Sequence, residues 1–404
     1  MQIKRLTGPT WGLTPKATKK LYISVTIPQI MYGMDMWCTP LHGWNTAVSR
    51  KESVNPIKKL TTVQRAGAIA ITGGFRTTPT DSLDAHVALI PMDLCVDKFC
   101  YNAITCLATL PPERPLHAPV KKRAAIFVKR HCLLLHTLTQ IYGIKPSEVE
   151  KIPAVRNHPK STSSPPVCID IPPNKEASKR ADTSATEHIK VYSDGSAHDS
   201  QVGATAILRR NSNPDRVLRL HLGTLDQHTV YEAELVGMIL GLHLIKTERK
   251  NKVKCVLNVN NQVALAAIKT RMTKSGQHFA ANILKQAKQL KKMGGNGRYG
   301  LTFRWSAGHV GIEGNEEADK EAKAVADRHS SDKKELPIYL RGQLSHIISA
   351  MQQAHFESLK RHWVEKWASS PRYQRLRFLD LLTPYSQKYM KYISNPDISR
   401  KTAS

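Results

Sequence analysis

No apolar run in the sequence approaches the ~18–20 residues that a membrane-spanning helix needs, and the N-terminus has no short apolar core of the secretory-signal type. These absences argue against an integral membrane protein and against export. Cysteine is scarce and scattered: Cys38, Cys95, Cys100, Cys106, Cys132, Cys168 and Cys255, with no C-x-x-C pair. An odd, dispersed set supports neither a zinc module nor a disulfide framework. Cys95, Cys100 and Cys106 stand among apolar residues and are expected to be buried thiols of an intracellular protein, with nucleus and cytoplasm not separated. Acids are also short. Against 60 Lys and Arg there are 32 Asp and Glu, a net charge of +28. That imbalance excludes an acidic solvating protein and favours a polyanion as partner, either nucleic acid or an anionic membrane surface.

What is present is enough for a folded core: 404 residues, 41% of them hydrophobic, or two to three domains at ~100–200 residues each. There is no internal repeat. Residues 1–150 read as mainly helical. Thr14-Pro15 starts a first helix, Asn55-Pro56 a second that runs to Ile71 and stops at Gly73-Gly74. Thr80-Asp81 caps a third over Leu83–Leu89, and Leu94–Leu110 is a fourth. Residues 151–187 hold six prolines among Ser, Thr and Lys, and are expected to be an unstructured linker.

From residue 188 the pattern changes to α/β. Strands are expected at Ile189–Tyr192, Val202–Arg209, Val217–Leu222, Val253–Val259 and Leu301–Trp305. Apolar residues Tyr231, Leu235, Met238, Ile239, Leu242 and Ile245 recur at helical spacing. Further helices are expected at Gln262–Ile268, from a Ser275 cap to Lys292, and over Glu316–Ala326. The order βββαβααβα implies a mixed five-stranded sheet flanked by helices, occupying 188–330. Residues 331–404 return to a basic helical segment, with a helix near Leu344–Trp367, and read as truncated at their end.

Four places in the α/β region carry chemistry. Tyr192-Ser-Asp194-Gly-Ser196 puts a carboxylate at a strand end before an expected glycine turn, where an aspartate needs no further reason. Thr229-Val-Tyr-Glu232 is a capping box, so Glu232 has a structural task; Glu234, two residues on, is not explained by capping. Asp319 lies in the first turn of the last helix with Glu316 and Glu317, where the macrodipole alone favours acids. Trp305, at a strand end, is expected to pack rather than to stack on bases, and Tyr299 could do either.

Taken together, S-D-G-S at a strand end, A-E-L on the following helix and Gly308-His309-Val-Gly-Ile-Glu-Gly314-Asn315-Glu-Glu-Ala-Asp319 resemble type 1 ribonuclease H over about 188–330. The resemblance implies a hydrolase that cuts the RNA of an RNA–DNA hybrid with two Mg²⁺ ions, for which Mn²⁺ can substitute. It assigns Asp194 as the bridging ligand, Glu234 and Asp319 as further ligands, and His309 as the mobile histidine that assists proton transfer or product release. Mg²⁺ takes oxygen ligands and keeps several waters, so carboxylates suit it. The fourth ligand of the family sits in a D-S-Q or D-N-Q motif, but here the strand ends Val259-Asn260-Asn261-Gln262. Asn260 offers a metal an oxygen but no charge, and no Asp or Glu occurs between Glu248 and Glu313. The expectation is a nuclease with impaired catalysis, or else a catalytically inactive nucleic-acid-binding remnant.

The same acid-free interval, 249–312, holds 13 Lys or Arg. Lys285, Lys288, Lys291 and Lys292 could be a solvated helix face, but a stretch of one sign repels itself and is better explained by phosphate binding. In the first half, Thr10-Trp-Gly-Leu-Thr-Pro15, Tyr32-Gly, Val63-Gln-Arg-Ala66 and Ile71-Thr-Gly-Gly-Phe-Arg-Thr-Thr-Pro79 resemble the region after the polymerase palm in LINE-like retrotransposon polyproteins, notably fungal ones. Ala368-Ser-Ser-Pro-Arg-Tyr373 is similar to the part beyond their nuclease. No Tyr-x-Asp-Asp motif is present, so the resemblance implies no polymerase activity.

Overall fold

The computed structural model describes residues 6–7, 11–41, 51–126, 134–153, 167–210, 213–248, 254–270, 275–293, 300–325, 329–378, 384–385 and 388–394. Cys132, Tyr299, Gly294-Gly295 and the prolines at 159, 165 and 166 lie outside them. Contacts divide the chain into one unit of residues 1–107, 118–146 and 354–404 and another of 108–117 and 147–353.

The second unit is built on a six-stranded mixed sheet: β1 (Cys168–Asp170), β2 (Ile189–His198), β3 (Gln201–Arg210), β4 (Asn213–Thr224), β5 (Cys255–Val259) and β6 (Leu301–Trp305), in the order β1-β6-β5-β2-β3-β4. The β2–β3–β4 meander is antiparallel, whereas β5, β6 and β1 run parallel to β2. Asp199 and Ser200 close the first hairpin, both at positive φ (46° and 63°). Such a two-residue loop matches the twist of the strands it joins. The helices are α1 (Lys175–Thr183), α2 (Val230–Thr247), α3 (Gln262–Thr270), α4 (Gln277–Met293), α5 (Glu313–Val325) and the start of α6 (Ile348–Ala368). Alternate strand residues meet different helices. Val191, Ala204, Ala206 and Leu257 join the core that holds Leu235, Met238, Ile239 and Leu242 of α2, while Tyr192 and Ile207 pack with Ile312 and Ala318 at α5. This alternation places α2 and α5 on opposite faces of the sheet.

This unit departs from the sequence-based expectation at three places. The sheet has six strands, not five, because part of the segment expected to be a linker is ordered: Cys168–Asp170 pairs with Thr302–Arg304, and Lys175–Thr183 is helical with Asn174 as its cap. The strand is too short to carry a periodic signal. It is held by Arg304, which donates to Asp170 Oδ2 (2.9 Å), to Glu187 Oε1 (2.9 Å) and to the Ala181 carbonyl (3.4 Å). Next, β2 does not end at Tyr192 in a glycine turn but continues to His198. A Cβ on Gly195 would stand 2.3 Å from the Glu234 backbone nitrogen, so this glycine serves the close approach of α2. Finally, the expected Ser275 cap of α4 gives way to a distant carboxylate: the Ser275 hydroxyl donates to Glu150 Oε1 (2.5 Å), and the other Glu150 oxygen takes the Gly276 N–H (2.8 Å). Glu150 also accepts the Ile348 N–H (3.0 Å), so one buried carboxylate serves the starts of α4 and α6.

In the first unit, Thr14 Oγ1 accepts the Ala17 N–H at the start of Pro15–Leu21, and the helical path continues to Met31 through a wide turn at Tyr22–Thr26. The second helix is Lys51–Thr72, with Pro56 inside it rather than at its start, and Gly73 (φ 73°) ends it. Met92–Ala108 and Leu134–Tyr142 are helical, and so is Thr80–Val87, but Thr80 and Asp81 do not cap it: Pro79 holds the cap position without a side-chain bond, and Ala88 at φ 50° ends the helix before Leu89. Its core gathers Tyr22, Ala68, Ile71, Leu83, Val87, Met390 and Ile393. Cys95 and Cys100 are buried, and burial pushes the Cys95 thiol up to about 12. Cys106 is exposed, against expectation, because it lies on the outer side of its helix. Among the described residues, no helix is long and apolar enough to cross a membrane.

Candidate active site

The cleft forms where the neighbouring β2 and β5 meet the N-terminal halves of α2 and α5; α5 starts at Glu313, so Asp319 stands in its second turn and not, as expected, in its first. Asp194 is on β2 and is 2% exposed. Gly195, lacking a side chain, lets the first turns of α2 reach the strand, and this brings Glu234 (4% exposed) beside Asp194. Asn260 follows β5, and its Nδ2 donates to Asp194 Oδ1 over 3.1 Å. Asp319 enters from the opposite face on α5, close enough for its charge to act on Asp194. The structure thus unites Asp194, Glu234, Asn260 and Asp319, which span 126 positions of sequence.

Electrostatics at this cleft is unfavourable to charge. Burial pushes the Asp194 carboxyl up to about 6; the Asn260 amide opposes the shift and the Asp319 charge adds to it. Glu234 is held well above the ordinary glutamate range, by burial first and by the Asp194 charge second. Hydrogen bonds from Asn261 and from the Gly195 N–H offset this only in part. Among the described residues, none hydrogen-bonds the buried Glu234 Oε2. Buried like charges of this kind favour protonation or an added cation. Sequence reasoning missed Lys323, which donates to Asp319 Oδ2 (2.6 Å) from the i+4 position, a spacing that was readable.

Glu232 is fully buried and apart in role from Glu234. Thr229 Oγ1 accepts its N–H (3.1 Å), its carboxylate accepts the Thr229 N–H in return, and His228 Nδ1 stands 2.9 and 3.0 Å from its two oxygens. The capping box is therefore closed in both directions. His309 is exposed at φ 57° on the loop after β6. That loop passes the cleft at Gly308, where a Cβ would be 3.2 Å from Asn260 Oδ1. Trp305 packs against the core and donates from Nε1 to the Asn260 carbonyl (3.0 Å). Lys285, Lys288, Lys291 and Lys292 line the exposed face of α4 and are not part of the carboxylate cluster.

The oxygens here suit a hard divalent cation in kind: two buried carboxylates, one with an unpartnered oxygen, would recover their desolvation cost beside it. In arrangement they are less ready. Asn260 donates into Asp194, Lys323 holds Asp319, and among the described residues no three His, Cys, Asp or Glu side chains stand together as a metal site.

Comparison with known proteins gives one family: residues 186–327 match the RNase H family model. No curated protein sequence matches the chain. Among solved structures, an RNase H1 from the halophilic archaeon Halobacterium salinarum NRC-1 aligns at 17% identity over 35% of this chain and 98% of that one, with a TM-score of 0.26. The cleft thus lies wholly within the matched segment, and residues 186–327 of this chain are an RNase H domain.

Proposed function

We propose that this domain binds RNA–DNA hybrids and hydrolyses their RNA strand with divalent cations, Mg²⁺ in the first place, at a rate held down by Asn260. The observation that carries this reading is the convergence of Asp194, Glu234, Asn260 and Asp319 at one cleft inside the matched segment. Asp194 and Glu234 would hold the cations, with Asp319 joining on release of Lys323 and Asn260 on rotation of its amide. Two such ions, when bound, supply an activated water and neutralise the leaving oxygen. The chain's own residues orient the rest: Gly195 sets the distance of Glu234 from Asp194, and the Gly308–Gly311 loop brings His309 to the rim, where it can take or give a proton. The basic face of α4 would meet phosphates, which fixes the hybrid without reading sequence.

A second reading has its own support. Asn260 and Lys323 donate to the very carboxylates a cation would need, as in a cleft neutralised from within and used for binding alone. The resemblance of the flanking segments supports placing the domain in a LINE-like retrotransposon polyprotein. Hybrid cleavage in Mg²⁺ and in Mn²⁺, with the unaltered chain, Asn260→Asp and Asn260→Asp/Asp194→Asn, separates the readings. Weak cleavage that the first change raises and the second abolishes supports the nuclease; hybrid binding with no cleavage by any variant supports the remnant.

A further inference from the structure

Helix α1 precedes the matched segment, which begins at residue 186. It is nevertheless locked to the loop that carries His309. Ser178, 1% exposed, donates from Oγ to the Trp305 carbonyl (3.0 Å) and accepts the Ala307 N–H (2.9 Å). Asp182 of the same helix accepts the Tyr192 hydroxyl (2.7 Å), two residues before Asp194. From the other side, the Ser306 N–H donates to the Val259 carbonyl (2.9 Å). The stem of the loop is therefore pinned between β5 and α1.

One residue after Ser178, Lys179 is exposed, and its Nζ lies 3.2 Å from where a Cβ on Gly311 would stand. Gly308 of the same loop touches Asn260 at its other end. Three residues span at most ~11 Å. The ammonium is thus within roughly five nucleotides of the cleft, at ~3.4 Å of rise per nucleotide on one strand. Lys175 and Arg180 are exposed on the same helix.

The geometry points to α1 as an additional phosphate-backbone contact of this domain: Lys179 meets a phosphate of the nucleic acid lying in the cleft, and Ser178 fixes helix and loop to each other so that this cation keeps its place. The inference rests on the hybrid-binding reading above. It extends the binding surface beyond the matched segment and opposite in position to the α4 lysines along the chain. A lysine on a fraying helix would add little, because ordering it would cost what the contact gains. Here the Asn174 cap and the Ser178 bridge have already ordered the helix.

The test is anisotropy of a short labelled RNA–DNA hybrid with the full chain in EDTA, across a salt series, for the unaltered protein, Lys179→Glu, Lys179→Gln, Ser178→Ala and Lys288→Glu. Lys179→Glu should weaken binding about 10-fold at low salt, and both Lys179 changes should lower the slope of log K against log salt by about one. Ser178→Ala should give a smaller loss, about 2–3-fold, with the slope kept. Unchanged affinity and slope for Lys179→Glu and Lys179→Gln, with a clear loss for Lys288→Glu, would overturn the inference and leave the hybrid reading standing. No hybrid binding by the unaltered chain would overturn both.

Discussion

Two groups of buried carboxylates lie in the same α/β unit and behave in opposite ways. Glu150 is 2% exposed, yet its carboxyl is held below the ordinary glutamate range: burial pushes it up, but His278, the Ser275 hydroxyl and the Gly276 and Ile348 N–H groups together outweigh burial. Asp194 and Glu234 are equally buried, but they face each other with few donors and are pushed up, Asp194 to about 6. Burial alone therefore does not decide the state of a carboxyl; the count and sign of its partners do. Glu150 is a finished structural joint between two helix starts. The cleft, inside the matched segment, differs: among the described residues Glu234 Oε2 has no hydrogen-bond partner to offset its burial.

The sharpest way to break this contrast is to add the missing charge. Asn260→Asp should raise Mg²⁺-dependent hybrid cleavage by about 10²-fold or more, as expected for restoring one charged contact to a transition state. Initial rates on a defined hybrid check this; equal rates would mean that the lost carboxylate is not what limits the site. The second effect is on folding. Glu150→Ala leaves two helix N-termini and the Ser275 hydroxyl without their acceptor, and should cost about 2 kcal/mol in urea unfolding, near the middle of the range for hydrogen bonds to a charged group. Asp194→Asn should cost far less or nothing, because it relieves a crowded charge. A greater loss for Asp194→Asn than for Glu150→Ala would reverse the comparison.

A third prediction follows from the sign of the Glu150 shift. Its folded-state pKa is depressed, so its stabilisation is present above the unfolded glutamate value near ~4.3 and is lost as pH falls through the folded value. The stability gap between the unaltered chain and Glu150→Gln should be constant from about pH 7 to about pH 5 and should close below about pH 4. Urea midpoints across that series measure it, and a gap that widened in acid would refute the assignment. The smallest effect concerns the cation-free cleft. Asn260→Asp replaces a donor to Asp194 with a like charge, so in EDTA it should lower stability by under ~1 kcal/mol. Adding Mg²⁺ or Mn²⁺ should then raise the melting temperature of Asn260→Asp more than that of the unaltered chain, because ligand binding to the folded state stabilises by mass action.

Much of this was legible where the physics is local. The Thr229–Glu232 capping box, strand β3 and the stop at Gly73 each follow from residues within four positions of one another. So did the distinction between Glu232, which capping explains, and Glu234, which it does not. The i+4 pair of Asp319 and Lys323 obeys the same short spacing. Other features were not legible. Nothing in Cys168-Ile-Asp170 announces a strand, because three residues carry no period; Arg304, far along the chain, holds it. Gly195 looked like a turn residue because a sequence shows that a glycine is permissive, not which backbone will approach it.

The sequence by itself determined the order of strands and helices from Ile189 to Val325, the one-signed charge of 249–312 and the identity of each cleft side chain, Asn260 included. These depend on periodicity, capping and residue type, which are properties of neighbours. Tertiary structure alone decided that the Asn260 amide donates to Asp194, that Glu234 keeps an oxygen without a partner, and that Ser178 ties a helix outside the matched segment to the loop of His309. Those outcomes depend on distances between residues that only the folded sheet brings together, and on how far burial strips water from a charge before a partner replaces it.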